Sequence, residues 1–303
     1  RSVVAVVGGA ALAITLTALP AQAHHSSPAP ATVAVQTYNM DFGGDLSHLF
    51  DPSLDLVTAT SMVWAETVSS DIPTRARGVA RSIARLQPDL VGLQEVSTWR
   101  TAPTLDGRTP SGAFVTDYDS LSSLLAALAR LGTPYRAVAV DTTFTNEAFP
   151  LPAMTSSGLR LVAFTDYNVI LVRQRSLGHL RLSSIQTGTY VARLPVTVAG
   201  IDIQVTRGWA QTDVTLHGRS FRFVDTHLEA FGAPGTLKDQ VRNPQAQELA
   251  YRIAQSPIPV VLVGDINARP DMCTDIPRTD PAEHALDQNV VAYTTLRESG
   301  LTE

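Results

Sequence analysis

The chain has 303 residues, 44% hydrophobic and 17% charged, the balance of a packed globular protein rather than a disordered one. That length allows one large domain or two small ones. A single cysteine excludes a disulfide-built scaffold and a thiolate zinc ribbon, and a net charge of −5 gives no basic footprint of a tight, non-specific nucleic-acid binder.

The N-terminus comes first. Arg1 is followed by an apolar run from Val3 to Leu19, then Pro20 and Ala21-Gln22-Ala23. A positive residue, an apolar stretch and a small-x-small site describe a secretory signal peptide cleaved after Ala23. The competing reading is a membrane anchor, for which a run of about 17 residues sits at the short edge of a bilayer span. Residues 1–23 are therefore expected to be an export signal and 24–30 a flexible mature N-terminus. Residues 31–303 form the functional domain of a secreted, extracellular monomer with no integral membrane segment after cleavage. Losing Arg1 with the signal takes the net charge to −6. In an oxidising compartment Cys273 has no partner within this chain.

Thr32 to Tyr38 alternates and is rich in β-formers, which predicts the first strand of the mature chain. Thr74 to Leu86 places Ala76, Val79, Ala80, Ile83 and Leu86 on one face of a helix that Gln87-Pro88 stops. Asp89 to Glu95 reads as a buried strand, Asp117 to Leu131 as a helix closed by Gly132, and Tyr135 to Val140 and Asn168 to Arg173 as strands. Gly208 to Leu216 and Phe221 to Thr226 predict a hairpin turned at His217-Gly218-Arg219. Pro244 to Gln255 is a predicted helix, Pro259 to Val263 the most apolar strand, and Val290 to Ser299 a final helix. Two stretches, 43–73 and 97–116, read as long and irregular, with a helix inside the first at Leu54 to Ser69 that turns Trp64 inward. Strands interleaved with helices predict one α/β domain.

Polar residues cluster where apolar strands end, and in open α/β folds those ends form the ligand crevice. The strands end in Asn39, in Gln94-Glu95, in Asp225-Thr226-His227 and in Gly264-Asp265-Ile266-Asn267. Each alone has an ordinary reading: Glu95 as a solvated residue, His227 as a core histidine, Asp265 and Asn267 as the start of a turn. Together they offer hard oxygen ligands and one imidazole without a thiolate, which suits Mg²⁺, Mn²⁺ or Ca²⁺ better than structural zinc.

At these residues the sequence resembles the endonuclease/exonuclease/phosphatase superfamily, whose members include DNase I-like nucleases, abasic-site endonucleases, bacterial sphingomyelinases and inositol-polyphosphate phosphatases. The matching segments are Thr37-Tyr38-Asn39-Met40, Pro88 to Val96 (PDLVGLQEV), Asp225-Thr226-His227-Leu228 and Gly264-Asp265-Ile266-Asn267, with a weaker match at Asn168 to Arg173. The resemblance implies a DNase I-like four-layer α/β sandwich, two central mixed sheets flanked by helices, with the site between the sheet ends. Carried over by position, Glu95 would be the principal Mg²⁺ ligand with Asn39 beside it. Asp265 and Asn267 would orient the attacking water and the scissile phosphate, and His227 would contact a non-bridging oxygen. Asn168 and, more weakly, Arg207 would hold the phosphate.

One departure stands out. Members of the family end with a Ser-Asp-His or similar whose Asp–His pair serves as general base, and this chain has no such motif. The histidine after His227 is His284, in a polar segment that reads as surface. The domain is thus expected to lack its C-terminal end and to turn over at least about a hundredfold more slowly than an intact one. Two readings follow: a secreted metal-dependent phosphoesterase acting on nucleic acid, phospholipid or a small phosphoester, or a non-catalytic secreted module that keeps the fold and binds a ligand.

Overall fold

Two β-sheets face each other across an apolar layer. In the first, β2 (Leu12–Thr15), β3 (Thr32–Asn39), β4 (Leu90–Pro103), β8 (Gly158–Arg173) and β6 (Tyr135–Thr145) lie side by side in that order. β5 (Val115–Asp119) joins the far half of β4, and β7 (Leu151–Thr155) joins β8. In the second sheet the order is β15 (Leu301–Thr302), β1 (Val3–Val6), β14 (Val260–Asp265), β13 (Arg219–His227), β12 (Gly208–Leu216) and β9 (Arg181–Thr189). A separate hairpin, β10 (Leu194–Val198) and β11 (Ile201–Val205), pairs with neither. This computed structural model describes residues 3–6, 12–15, 32–198, 200–231, 239–268 and 288–302. Cys273 and His284 lie outside the described residues.

The period-two pattern of the strands decides which side chains enter the layer between the sheets. Val33, Val35, Leu90 and Ile170 project from the first sheet to meet Phe221, Phe223, Val261 and Val263 from the second. The alternate residues face outward. Val91, Leu93, Val169 and Leu171 pack under α2 (Ile72–Leu86) and α3 (Ser120–Arg130), while Val224, Val260 and Leu262 pack under α4 (Arg242–Ala254) and α5 (Gln288–Glu298). The result is the expected four-layer sandwich. Helix α1 (Leu56–Ser69) stands at one end, with Val63 and Trp64 against Trp99 and Phe164.

Local sequence explains the helices. Asp55, Asp71 and Asp119 cap α1, α2 and α3, each accepting from a backbone N–H three residues on, a contact worth about 1 kcal/mol. Helix α2 buries Ala76, Val79, Ala80 and Ile83 as the spacing predicts, but Leu86, at its end, is 38% exposed. It stops where Gln87 turns left-handed ahead of Pro88. Gly218 follows His217, both at positive φ, as the two-residue turn between β12 and β13 requires.

Three expectations need correction. The strand begun at Asp89 does not end at Glu95: a bulge there, with Glu95 at φ +53°, breaks the register and β4 continues to Pro103. The stretch 97–116 is therefore mostly ordered as a hairpin, closed by a bridge between Thr104 and Pro110 and returned by β5. Likewise β8 begins ten residues before Asn168, at Gly158, so Asn168 lies inside a strand. The 43–73 stretch holds α1 and the start of α2, with Trp64 buried as expected. Val3–Val6 and Leu12–Thr15, inside the segment expected to be cleaved, pair with β14 and β3 respectively.

Strand register positions the site. Parallel β3 and β4 bring Asn39 opposite Gln94, and parallel β13 and β14 bring His227 opposite Asp265. Gly92 allows the sheets to approach, since a Cβ there would meet Asp225 Oδ1 and Val263 Cγ2 at 2.6 Å. Gly264, at φ +142°, tolerates no side chain either: a Cβ would stand 2.0 Å from Thr226 O.

Candidate active site

Three strand ends and a bulge inside β4, drawn from two sheets, converge. Asn39 Nδ2 donates to Glu95 Oε1 at 2.8 Å and to Asp265 Oδ2 at 2.9 Å, tying one sheet to the other. Its Oδ1 accepts from Asp41 N at 2.8 Å, which fixes the amide's orientation. Glu95 Oε2 accepts from Phe42 N at 3.1 Å. Asp265 Oδ1 accepts from Asn267 N at 3.0 Å. The left-handed conformations of Glu95 and Asn267, at φ +53° and +46°, aim both side chains out of their ladders and into the cluster.

His227 is 1% exposed, with Nε2 3.9 Å from Glu95 Oε1 and 3.0 Å from Asn267 Nδ2. The same Asn267 amide donates to Leu228 O at 2.9 Å, so Nε2 accepts its second hydrogen and the ring proton sits on Nδ1. Burial, and then the charge of Arg207, holds the imidazole's pKa well below its usual value, so the ring is neutral. Ligand atoms of Glu95, His227 and Asp265 all lie within 4.8 Å of one another. Burial raises the proton affinity of Glu95 above the ordinary carboxylate range despite the hydrogen bond from Asn39.

Arg207 is buried at the edge of this cluster, Nη1 3.5 Å from Asp166 Oδ2 and Nη2 3.3 Å from Glu229 Oε1. Burial works to lower its proton affinity, but Glu229 and Asp166 outweigh that and raise it. Asn168 is fully buried, its Nδ2 donating to Gly208 O at 3.0 Å. Thus Asn39, Glu95, His227, Asp265 and Asn267 share direct contacts. Arg207 borders them through its field on Glu95 and His227, and Asn168 faces the intersheet layer two residues along β8 from Asp166.

Asp166 and Glu229 escape a strand-end reading. Asp166 accepts from Thr143 Oγ1 at 2.7 Å, and burial pushes its pKa to about 7 even beside Arg207. The spacing Asp166-x-Asn168 puts both on one face of a strand, a signal visible only once the strand is known to run through them. Glu229 is fully buried and holds the backbone amides of Ala230 and Phe231. One guanidinium therefore pairs with Asp166 and Glu229 and acts at longer range on Glu95, an excess of negative charge that a divalent cation would reduce. Oxygen atoms and one imidazole with no thiolate fit a hard cation.

No family model and no curated protein matches the chain. Among solved structures, it is similar to an endonuclease/exonuclease/phosphatase family protein from Bacteroides thetaiotaomicron, with 15% identity over 90% of this chain and 70% of that one and a TM-score of 0.47. It is also similar to a mannosyl-6-phosphatase from Bacteroides thetaiotaomicron, with 14% identity over 88% and 71% and a TM-score of 0.43. A humanized D. rerio TDP2 shares 17% identity over 78% of this chain and 63% of that one, with a TM-score of 0.40. The chain thus spans under two thirds of that TDP2. Proteins of the family the sequence resembles are among the structures similar to this one. No helix of the described residues is long and apolar enough to cross a membrane.

Proposed function

We propose that the chain is a divalent-metal-dependent phosphoesterase of the endonuclease/exonuclease/phosphatase type. The observation that carries this reading is the junction of Asn39, Glu95, His227, Asp265 and Asn267 across two sheets, bordered by a buried arginine and surplus carboxylates. Glu95, Asp265 and the His227 imidazole would hold the cation, with Asn39 setting the two carboxylates. When bound, such an ion polarises the phosphoryl group and supports the leaving oxygen.

The chain's own residues supply the rest. Asn267 and Arg207 present donors to phosphate oxygens without adding negative charge. The neutral His227 ring, with the Nε2 lone pair facing the cluster, suits a cation ligand. Asp265 orients the neighbouring amides of Asn39 and Asn267. Asp166, with a pKa near neutrality, is suited to take a proton from water, the task for which a general base is tuned. Asn168 supports the phosphate side of the same strand. Each such group contributes a few kcal/mol of transition-state stabilisation elsewhere.

The signal-like pattern in residues 1–23 supports a secreted enzyme whose mature form begins at His24, which the N-terminal mass of the exported protein checks. For the activity itself, the test is a panel of DNA, RNA, sphingomyelin, inositol phosphates and small phosphate esters, assayed with Mg²⁺. Hydrolysis of at least one, lost in Glu95→Ala and His227→Ala, is the expected result. Full activity in both variants rejects the site, and ligand binding without hydrolysis of any ester rejects the enzyme in favour of a binding module.

A further inference from the structure

Beside the polar cluster lies a pocket of about 310 Å³ whose walls are mostly apolar. Phe42, Trp99, Phe144, Phe164 and Phe231 supply rings, and Phe164 stacks on Trp99 at 4.8 Å between centroids. Asp166 and Arg207, which border the candidate site, also line the pocket. Two walls are fastened to that site by hydrogen bonds: Phe42 N holds Glu95, and Phe231 N donates at 3.0 Å to Glu229, the partner of Arg207. Asp166 and Arg207 thus belong both to the lining of the pocket and to the border of the polar cluster.

One wall of the pocket is the β10–β11 hairpin, which contributes Val198, Ile203 and Val205. This hairpin makes no ladder with either sheet. Its apolar side, Leu194, Val196 and Val205, packs on Val241 and, at its edge, on Phe50 and Phe231. A polynucleotide is a poor occupant. Among the described residues the one cation lining the pocket is Arg207, already shared between two carboxylates, whereas a nucleic-acid backbone calls for several cations.

We infer that this pocket binds an apolar organic group esterified to the phosphate that the polar cluster hydrolyses. The inference rests on the phosphoesterase reading and narrows it to amphiphilic esters with a compact apolar substituent. Apolar pockets of this size that carry a few convergent polar groups bind small ligands.

Calorimetric titration of the chain with inorganic phosphate, methyl phosphate, butyl phosphate, hexyl phosphate and phenethyl phosphate, all with Mg²⁺, tests it. From methyl to hexyl, affinity should rise by up to about fourfold per methylene as each is buried. The phenethyl arm shows whether an aromatic or an alkyl group is the better occupant. Leu49 also lines the pocket, and Leu49→Trp, which narrows it, and Ile203→Glu, which charges its hairpin wall, should each flatten the series while leaving methyl phosphate affinity unchanged. Hexyl and phenethyl phosphate binding no tighter than methyl phosphate overturns the inference and leaves the phosphoesterase reading standing. Binding of neither inorganic nor methyl phosphate overturns both.

Discussion

Asn39 and Asp265 are 226 positions apart and belong to different sheets, yet the amide of one donates to the carboxylate of the other at 2.9 Å. The same amide nitrogen reaches Glu95, so a single neutral side chain keeps two carboxylates together. This is a low-cost way to hold like charges until a cation arrives.

Asn39→Ala should therefore destabilise the metal-free protein by about 1 kcal/mol, the net worth of a hydrogen bond to partly buried acceptors. Added Mg²⁺ should recover part of the loss. Thermal melts with and without Mg²⁺ check this, and an Asn39→Ala protein as stable as wild type in EDTA would contradict it.

On the proposed ligand set of Glu95, His227 and Asp265, saturating Mg²⁺ should raise the stability of the wild-type chain. The gain is about 2.7 kcal/mol at a hundred times the dissociation constant. Glu95→Gln should abolish that gain. Urea unfolding at increasing Mg²⁺ measures both, and an undiminished gain in Glu95→Gln would place the ion elsewhere.

Most of this cluster was legible because its residues close short apolar runs, at strand ends for Asn39, His227 and Asp265 and at the β4 bulge for Glu95. Asn39, Glu95, His227 and Asp265 each close a short apolar run, and the parallel register of β3 with β4 and β13 with β14 lines those ends up. What was hidden has a physical cause. Beyond Glu95 the strand reads Ser97-Thr98-Trp99-Arg100-Thr101, loop-like in composition, yet Ser97, Thr98 and Thr101 are buried. Thr165-Asp166-Tyr167-Asn168 is equally polar and equally interior, which concealed Asp166. Burial of polar strands against another layer erases the hydrophobic pattern on which periodicity depends. The β10–β11 hairpin was missed for a related reason: its alternation, broken by Pro195 and Gly200, is short and half exposed.

Asp141 and Asp225 are buried acids in the intersheet layer. Burial raises the pKa of Asp141 to about 7, with Asp166 adding to the effect, and raises that of Asp225 well above the usual range. An unfolded aspartate titrates near 3.9, so the folded state binds the proton more tightly. The stabilisation is complete below about pH 4 and is lost as pH rises through 7. Asp141→Asn should remove that slope and gain on the order of 4 kcal/mol over wild type at pH 8 relative to pH 4. Urea unfolding across that range measures it, and parallel curves would refute it.

Arg207 is the cation between two buried carboxylates, Asp166 and Glu229. Arg207→Ala leaves both uncompensated and should cost about 3–5 kcal/mol. Denaturant unfolding near neutral pH gives the value. A loss under about 1 kcal/mol would mean that the pair is solvated, against the burial of all three side chains.

The central claim is that the Asn39–Glu95–His227–Asp265 junction hydrolyses phosphate esters with a divalent cation. The rate of p-nitrophenol release from bis(p-nitrophenyl) phosphate, followed as Mg²⁺ is titrated into EDTA-treated protein, tests it most directly. The account predicts a rate that rises from background to saturation with Mg²⁺ and falls at least about a hundredfold in Glu95→Gln and His227→Ala. A rate that ignores both EDTA and these two substitutions would contradict it.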